Sequence, residues 1–115
     1  MTTIAENTGL VTFINVFTVE PSNQQKLLDI LARATETSVR DVPGFISAAL
    51  HRSVDGTKVT MYGQWKSVEH YQQYQSMRSD PVTSPYVEQV LVIARFDPAM
   101  YEVVKVFDGP SRPAS

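Results

Sequence analysis

The chain has 115 residues, no cysteine, 43% apolar side chains and a formal net charge of −2. That is one domain's length, able to bury a core, with no disulfide, thiolate nucleophile or cysteine metal site. It lacks the basic stripe that nucleic-acid partners need, and no apolar run approaches the roughly 20 residues of a membrane span. The opening MTTIAENTG has neither the basic nor the apolar region of a secretion signal. With no cysteines, the expected location is the reducing cytoplasm. Residues 1–9 and 109–115 are small and polar and are expected to be flexible tails around a domain at residues 10–108.

Leu10–Val19 is rich in β-branched and aromatic residues and predicts a strand. Val11, Phe13, Asn15, Phe17 and Val19 point one way; Thr12, Ile14, Val16 and Thr18 point the other. Apolar on both faces, this strand is expected at a sheet centre. Asn15 interrupts the odd face, either as a satisfied core amide or as a hydrogen-bonding group in a pocket wall. Glu20-Pro21-Ser22 starts a helix, and Ser22 with Gln25 has the spacing of a capping box. Leu27, Leu28, Leu31, Ala34, Thr35, Ser38 and Val39 recur at helical spacing until Asp41-Val42-Pro43-Gly44 ends the helix.

Phe45–Ser53 predicts a second strand, joined to a third at Lys58–Lys66 through the Asp55-Gly56 hairpin signal. His51 shares a parity with Phe45, Ser47 and Ala49. A strand histidine is most often structural, but an imidazole also accepts a proton near neutral pH. Val59, Met61, Gly63 and Trp65 share one face of the third strand. Ser67 predicts an N-cap, with Glu69 suited to the first helical turn. The helix that follows should fold back and bring Tyr71 and Tyr74 near the single tryptophan. Such a cluster is either a hydrogen-bonded core or the wall of an amphipathic ligand pocket. Strand parity and the helix together place Phe13, Asn15, Phe17, Met61, Trp65, Tyr71 and Tyr74 around one cavity between the sheet and its own helices.

Asp80-Pro81 breaks this helix, and Ser84-Pro85 starts a short apolar one with Tyr86, Val87, Val90, Leu91, Ile93 and Ala94. Asp97-Pro98 is expected to end it, and Met100–Phe107 to form the last strand. The order is the β-α-β-β-α-β plan of a ferredoxin-like sandwich, an α+β fold with an antiparallel sheet. Helices cover one sheet face. On the other, Ile14 and Val16 of the first strand and Val104 and Val106 of the last remain apolar, which calls for a second copy of the chain, a homodimer. No phosphate-binding glycine loop, G-x-S-x-G or HExxH is present. The two histidines, His51 and His70, lie in separate elements with no carboxylate at ligand spacing, so no metal is expected.

The string GFISAALHRSVDG, continued by YGQWKSVEHY, resembles the antibiotic biosynthesis monooxygenase superfamily. VTFINVFTVEP is similar to its first strand, and the likeness covers about residues 10–108. It implies a dimeric α/β barrel made of two facing ferredoxin-like sheets. In anthrone-type oxygenases of the family a tryptophan and a tyrosine six residues later line the cavity, matching Trp65 and Tyr71. Their asparagine, four residues before the tryptophan, is Met61 here. Haem-degrading members use a first-strand asparagine and the same tryptophan, matched by Asn15 and Trp65, but their later helix histidine has no counterpart at residues 84–88.

The resemblance implies a cofactor-independent monooxygenase. It would oxidise a phenolic polycyclic, anthrone- or quinol-like substrate with dioxygen as co-substrate, in polyketide metabolism. Trp65, Tyr71, Asn15 and His51 are its candidate catalytic residues; Phe13, Phe17, Met61 and Tyr74 would bind the substrate. A non-oxidative polyketide cyclase or isomerase, or a non-catalytic ligand-binding or stress-related protein, is the alternative on the same fold.

Overall fold

Nine residues, Val11–Val19, form β1, an interior strand of a four-stranded antiparallel sheet ordered β2-β3-β1-β4. The other strands are β2 (Phe45–Arg52), β3 (Lys58–Trp65) and β4 (Ala94–Tyr101). The helices are α1 (Gln24–Ala34), α2 (Val68–Arg78) and α3 (Pro85–Ile93). This is the ferredoxin-like α+β plan with one added helix. The structure, a computed structural model, describes residue 4, residues 9–78 and residues 85–110. The Asp80-Pro81 break, the Ser84 cap, and nearly all of residues 1–9 and 111–115 lie outside the described residues.

Register fixes the two sheet faces. Phe13 pairs with Gly63 and Met100, Asn15 with Met61 and Pro98, and Phe17 with Val59 and Phe96. Paired residues share a face, so these side chains meet the helices. Thr12, Ile14, Val16, Tyr62, Gln64 and Ala99 share the opposite, open face. Two apolar clusters fill the helix side. Phe17, Val19, Leu27, Ile30, Leu31, Val59 and Val90 form one. Trp65, Tyr71 and Tyr74 form the other, with Phe13, Val39, Val42, Phe45 and Met100 packed against it.

Three expectations are corrected. The last strand is Ala94–Tyr101, not Met100–Phe107, and Asp97-Pro98 lies inside it rather than ending a helix. The reason is β1: its pairing with β4 begins at Val19↔Ala94 and ends at Thr12↔Tyr101, so the β-prone residues beyond 101 lie past the end of that ladder. Pro98 is tolerated because β4 is an edge strand. Val104 and Val106 are therefore not part of the open sheet face. Second, Ser22 makes no cap: Pro21–Asn23 is a 3₁₀ turn, and neither it nor α1 has a side-chain cap bond. Gln24 ties down that end instead, its buried amide donating to the carbonyls of Ser53 (3.2 Å) and Lys58 (3.0 Å). Third, a β-bulge between Phe45 and Ser47 reverses the parity of β2. His51 pairs with Thr60 and is exposed on the open face.

The β2–β3 hairpin closes through Gly56, at φ +84°, which a glycine adopts without steric cost. Asp55 Oδ1 accepts from the Thr57 backbone N–H (3.0 Å), the Thr57 hydroxyl (2.7 Å) and the Ser53 hydroxyl (2.7 Å). These bonds, that from the Thr57 backbone foremost, lower the carboxyl pKa from 3.8 to about 2. A carboxylate whose folded pKa is depressed stabilises the fold above its unfolded pKa and stops doing so as pH falls through the folded one. Asp55→Ala should therefore lower the melting temperature at neutral pH, and the gap to wild type should narrow as pH falls from 3.8 to about 2. A gap unchanged across that window in thermal melts would show that the charge plays no part.

Candidate functional site

The site is built where β3 turns into α2. The Ser67 hydroxyl accepts the His70 backbone N–H (3.2 Å) and lies 2.7 Å from His70 Nδ1. This N-cap fixes the start of α2 directly after the strand. Behind the turn, Gly44 (φ +88°) comes so close that a Cβ there would overlap the His70 side chain. Its carbonyl accepts the Lys66 N–H at 2.8 Å. The helix is thus held folded back, with Tyr71 and Tyr74, three residues apart, on the sheet-facing side.

Trp65 is 2% exposed and is enclosed by rings. Tyr74 stacks on it (5.4 Å, 28°), while Tyr71 (5.4 Å, 78°) and Phe45 (5.5 Å, 72°) meet it edge-on. Phe13 stacks on Tyr71 at 4.9 Å. Offset-stacked and edge-to-face pairs each contribute about 0.5–1.5 kcal/mol beyond burial, so the cluster is a stiff wall. Among the described residues the indole N–H has no hydrogen-bond acceptor.

Between the two apolar clusters lies a cavity of about 100 Å³. Asn15 sits on its sheet side, 8% exposed, its Oδ1 accepting the Asp97 backbone N–H at 3.1 Å. With the oxygen committed, the amide nitrogen is the group Asn15 can still offer, as a donor. The opposite wall comes from α1 and its continuation. Thr35–Val39 is a π-helical turn, closed by the Arg40 N–H on the Thr35 carbonyl (2.9 Å). Thr35 and Val39 both line the cavity. Among the described residues, the lining's only titratable side chains are the two tyrosines.

Of the residues singled out from the sequence, Phe13, Asn15, Phe17, Met61, Trp65, Tyr71 and Tyr74 all line this cavity. His51 does not; the bulge in β2 puts it on the other side of the sheet. The lining also includes Leu31, Ala34, Thr35 and Val39, read from the sequence only as a packing stripe, and Phe45, Ala48 and Gly63. A glycine inside a strand was the available signal for the last of these. Among the described residues no three His, Cys, Asp or Glu side chains come together as a metal site.

The sequence model for antibiotic biosynthesis monooxygenases matches residues 10–79. The chain belongs to that family. It is 37% identical over 111 residues to tetracenomycin-F1 monooxygenase of Streptomyces glaucescens, covering 96% of each chain. Among solved structures it is similar to the ActVA-Orf6 monooxygenase of Streptomyces coelicolor, in complex with Nanaomycin D. The identity there is 27% and the TM-score 0.70, over 88% of this chain and 92% of that one. SnoaB of Streptomyces nogalater, a cofactor-independent oxygenase, superposes with TM-score 0.69 at 19% identity, over 87% and 98% of the two chains. At that identity the likeness is one of fold.

For this ABM-family chain, the single tryptophan reports on the site. Its emission should be blue-shifted and resistant to acrylamide, and an aromatic ligand entering the cavity should quench it. Water-like emission in the free protein would contradict the enclosed indole.

Proposed function

We propose that this protein is a cofactor-independent monooxygenase of aromatic polyketide metabolism, acting in the cytoplasm on an anthrone- or quinol-like phenol with dioxygen. The observation that carries the reading is the near-full-length identity to tetracenomycin-F1 monooxygenase. The cavity fits it in kind: aromatic walls for a flat ring system, with an indole N–H, tyrosine hydroxyls and one oriented amide as polar groups.

The chemistry asks little of the protein. A phenolic or anthrone substrate loses a proton to give an electron-rich anion, which passes one electron to dioxygen. Substrate radical and superoxide combine to form a C–O bond, and the peroxide takes up a proton. It then loses water as the C–H electrons collapse into a carbonyl. One oxygen atom ends in the quinone and one in water; the substrate supplies all four electrons, so no external reductant is needed. Trp65, Asn15 and Tyr71 stabilise the anionic states by donating hydrogen bonds, in a site that excludes bulk water. With His51 on the far sheet face, substrate ionisation relies on those donors, and the rate should follow the substrate's own acidity.

Trp65→Phe and Tyr71→Phe should each lower turnover by about 10²–10³ with the fold intact, the cost of losing one oxyanion donor. The assay is oxygen uptake with a panel of anthrones and dihydroquinones, on metal-free protein with and without EDTA. Uptake abolished by EDTA and restored by iron would overturn the cofactor-free reading. Turnover without oxygen would make the protein a cyclase, and saturable binding without turnover a ligand-binding protein.

The working unit in this proposal is a homodimer formed through the open sheet face. Ile14, Val16 and Tyr62 are only half-buried there, and beyond β4 Val104 and Phe107 are 84% and 85% exposed. Covering such apolar surface is what a two-fold partner does. Light scattering at micromolar concentration should give twice the chain mass; a monomer would refute the dimer. No helix among the described residues is long and apolar enough to cross a membrane.

A further inference from the structure

Gly63 is the interior residue of β3 that the fold does not explain. Glycines 9, 44 and 56 have positive φ, but Gly63 does not, so its backbone suits any residue. Its pairings with Phe13 and Ala48 are regular, the bulge lying further along β2. A Cβ there would stand 3.7 Å from the Ser47 carbonyl oxygen and 3.9 Å from both the Phe13 Cβ and the Trp65 Nε1. All three are ordinary contacts, so an alanine fits. A mid-strand glycine weakens a strand relative to alanine, and often marks a bulge or the close approach of a ligand or another backbone. The small residue therefore keeps a methyl-sized depression open in the cavity floor, beside the indole N–H.

Building on the oxygenase reading, we propose that this notch over Gly63 is the seat of dioxygen. Ala48 pairs across the ladder from Gly63 and lines the same cavity with a small side chain. The notch's neighbours are the Ser47 carbonyl oxygen, the Phe13 methylene and the indole edge, with Ala48 across the ladder, a seat with no charged group in it. The donor beside it, Trp65 Nε1–H, interacts weakly with neutral dioxygen and strongly once the substrate anion has reduced it to superoxide. That is the difference between ground and charge-developed states on which catalysis depends. A ring bound above the floor, against the aromatic wall, would present its carbon to the seated oxygen, and the C–O bond forms between them.

The test is Gly63→Ala, whose added methyl occupies the notch without disturbing neighbours. KM for dioxygen should rise about fivefold or more while KM for the organic substrate stays within about twofold. An unchanged KM for dioxygen, or a rise confined to the organic substrate, would overturn the assignment; the latter would give the notch to a substrate oxygen. Xenon, a probe of apolar gas sites, provides a readout independent of activity. Crystals of the wild-type protein pressurised with xenon should show it over Gly63, and those of the alanine variant should not. Xenon elsewhere in the cavity would equally refute the seat. Absence of oxygen uptake by the wild type would instead refute the oxygenase reading, and the two failures are distinct.

Discussion

The hydrogen bond from the Asp97 backbone to the Asn15 side chain sets the terms for the interior. Asn15 sits mid-strand on the helix-facing side of β1, with apolar residues on either side of it along the strand. A buried amide left unpaired there would cost about 1–3 kcal/mol. The edge strand satisfies its oxygen, and the residue directly opposite, Pro98, has no N–H to compete. The two apolar clusters end up on either side of this one polar group, and the cavity occupies the seam between them. A position that would otherwise hold another leucine or valine has become an oriented donor facing open space.

Around that seam the chain invests in rigidity. The N-cap at Ser67, the close passage of Gly44 and the stacked rings on Trp65 fix the indole before anything binds. At the opposite end of the sheet, Gln24 and Asp55 hold the hairpin against α1 and close its turn. Those contacts are remote from the cavity and serve the scaffold alone. The division is the one expected when function is carried by a few side chains mounted on a rigid, generic fold.

The strands β1 and β3, the hairpin and the start of α2 were legible because each carries a local chemical signal: period-two alternation, Asp-Gly, and a serine before a first turn that holds Glu69. Parity then placed five lining residues together, since register simply extends a two-residue repeat, and the helix after Ser67 added the two tyrosines. Where the sequence misled, the deciding partner was far away. MYEVVKVF has β propensity, yet most of it lies past the end of the strand it would have to join. Asp97-Pro98 reads as a stop, and only an edge position makes it part of a strand. His51 moved to the other face through one extra residue in β2, a bulge with no composition of its own. The π-helical turn is equally silent, because its residues continue the spacing of α1 closely enough to pass for one more helical turn.

The bond between residues 15 and 97 also has a consequence in time. β1 and β4 are far apart along the chain, and a domain generally folds as a unit. The β2–β3 hairpin closes on residues near one another in sequence. Asn15, by contrast, waits on an amide 82 residues downstream, and until it arrives the side chain has no fixed orientation to present. The site is therefore complete only once β4 has joined the sheet.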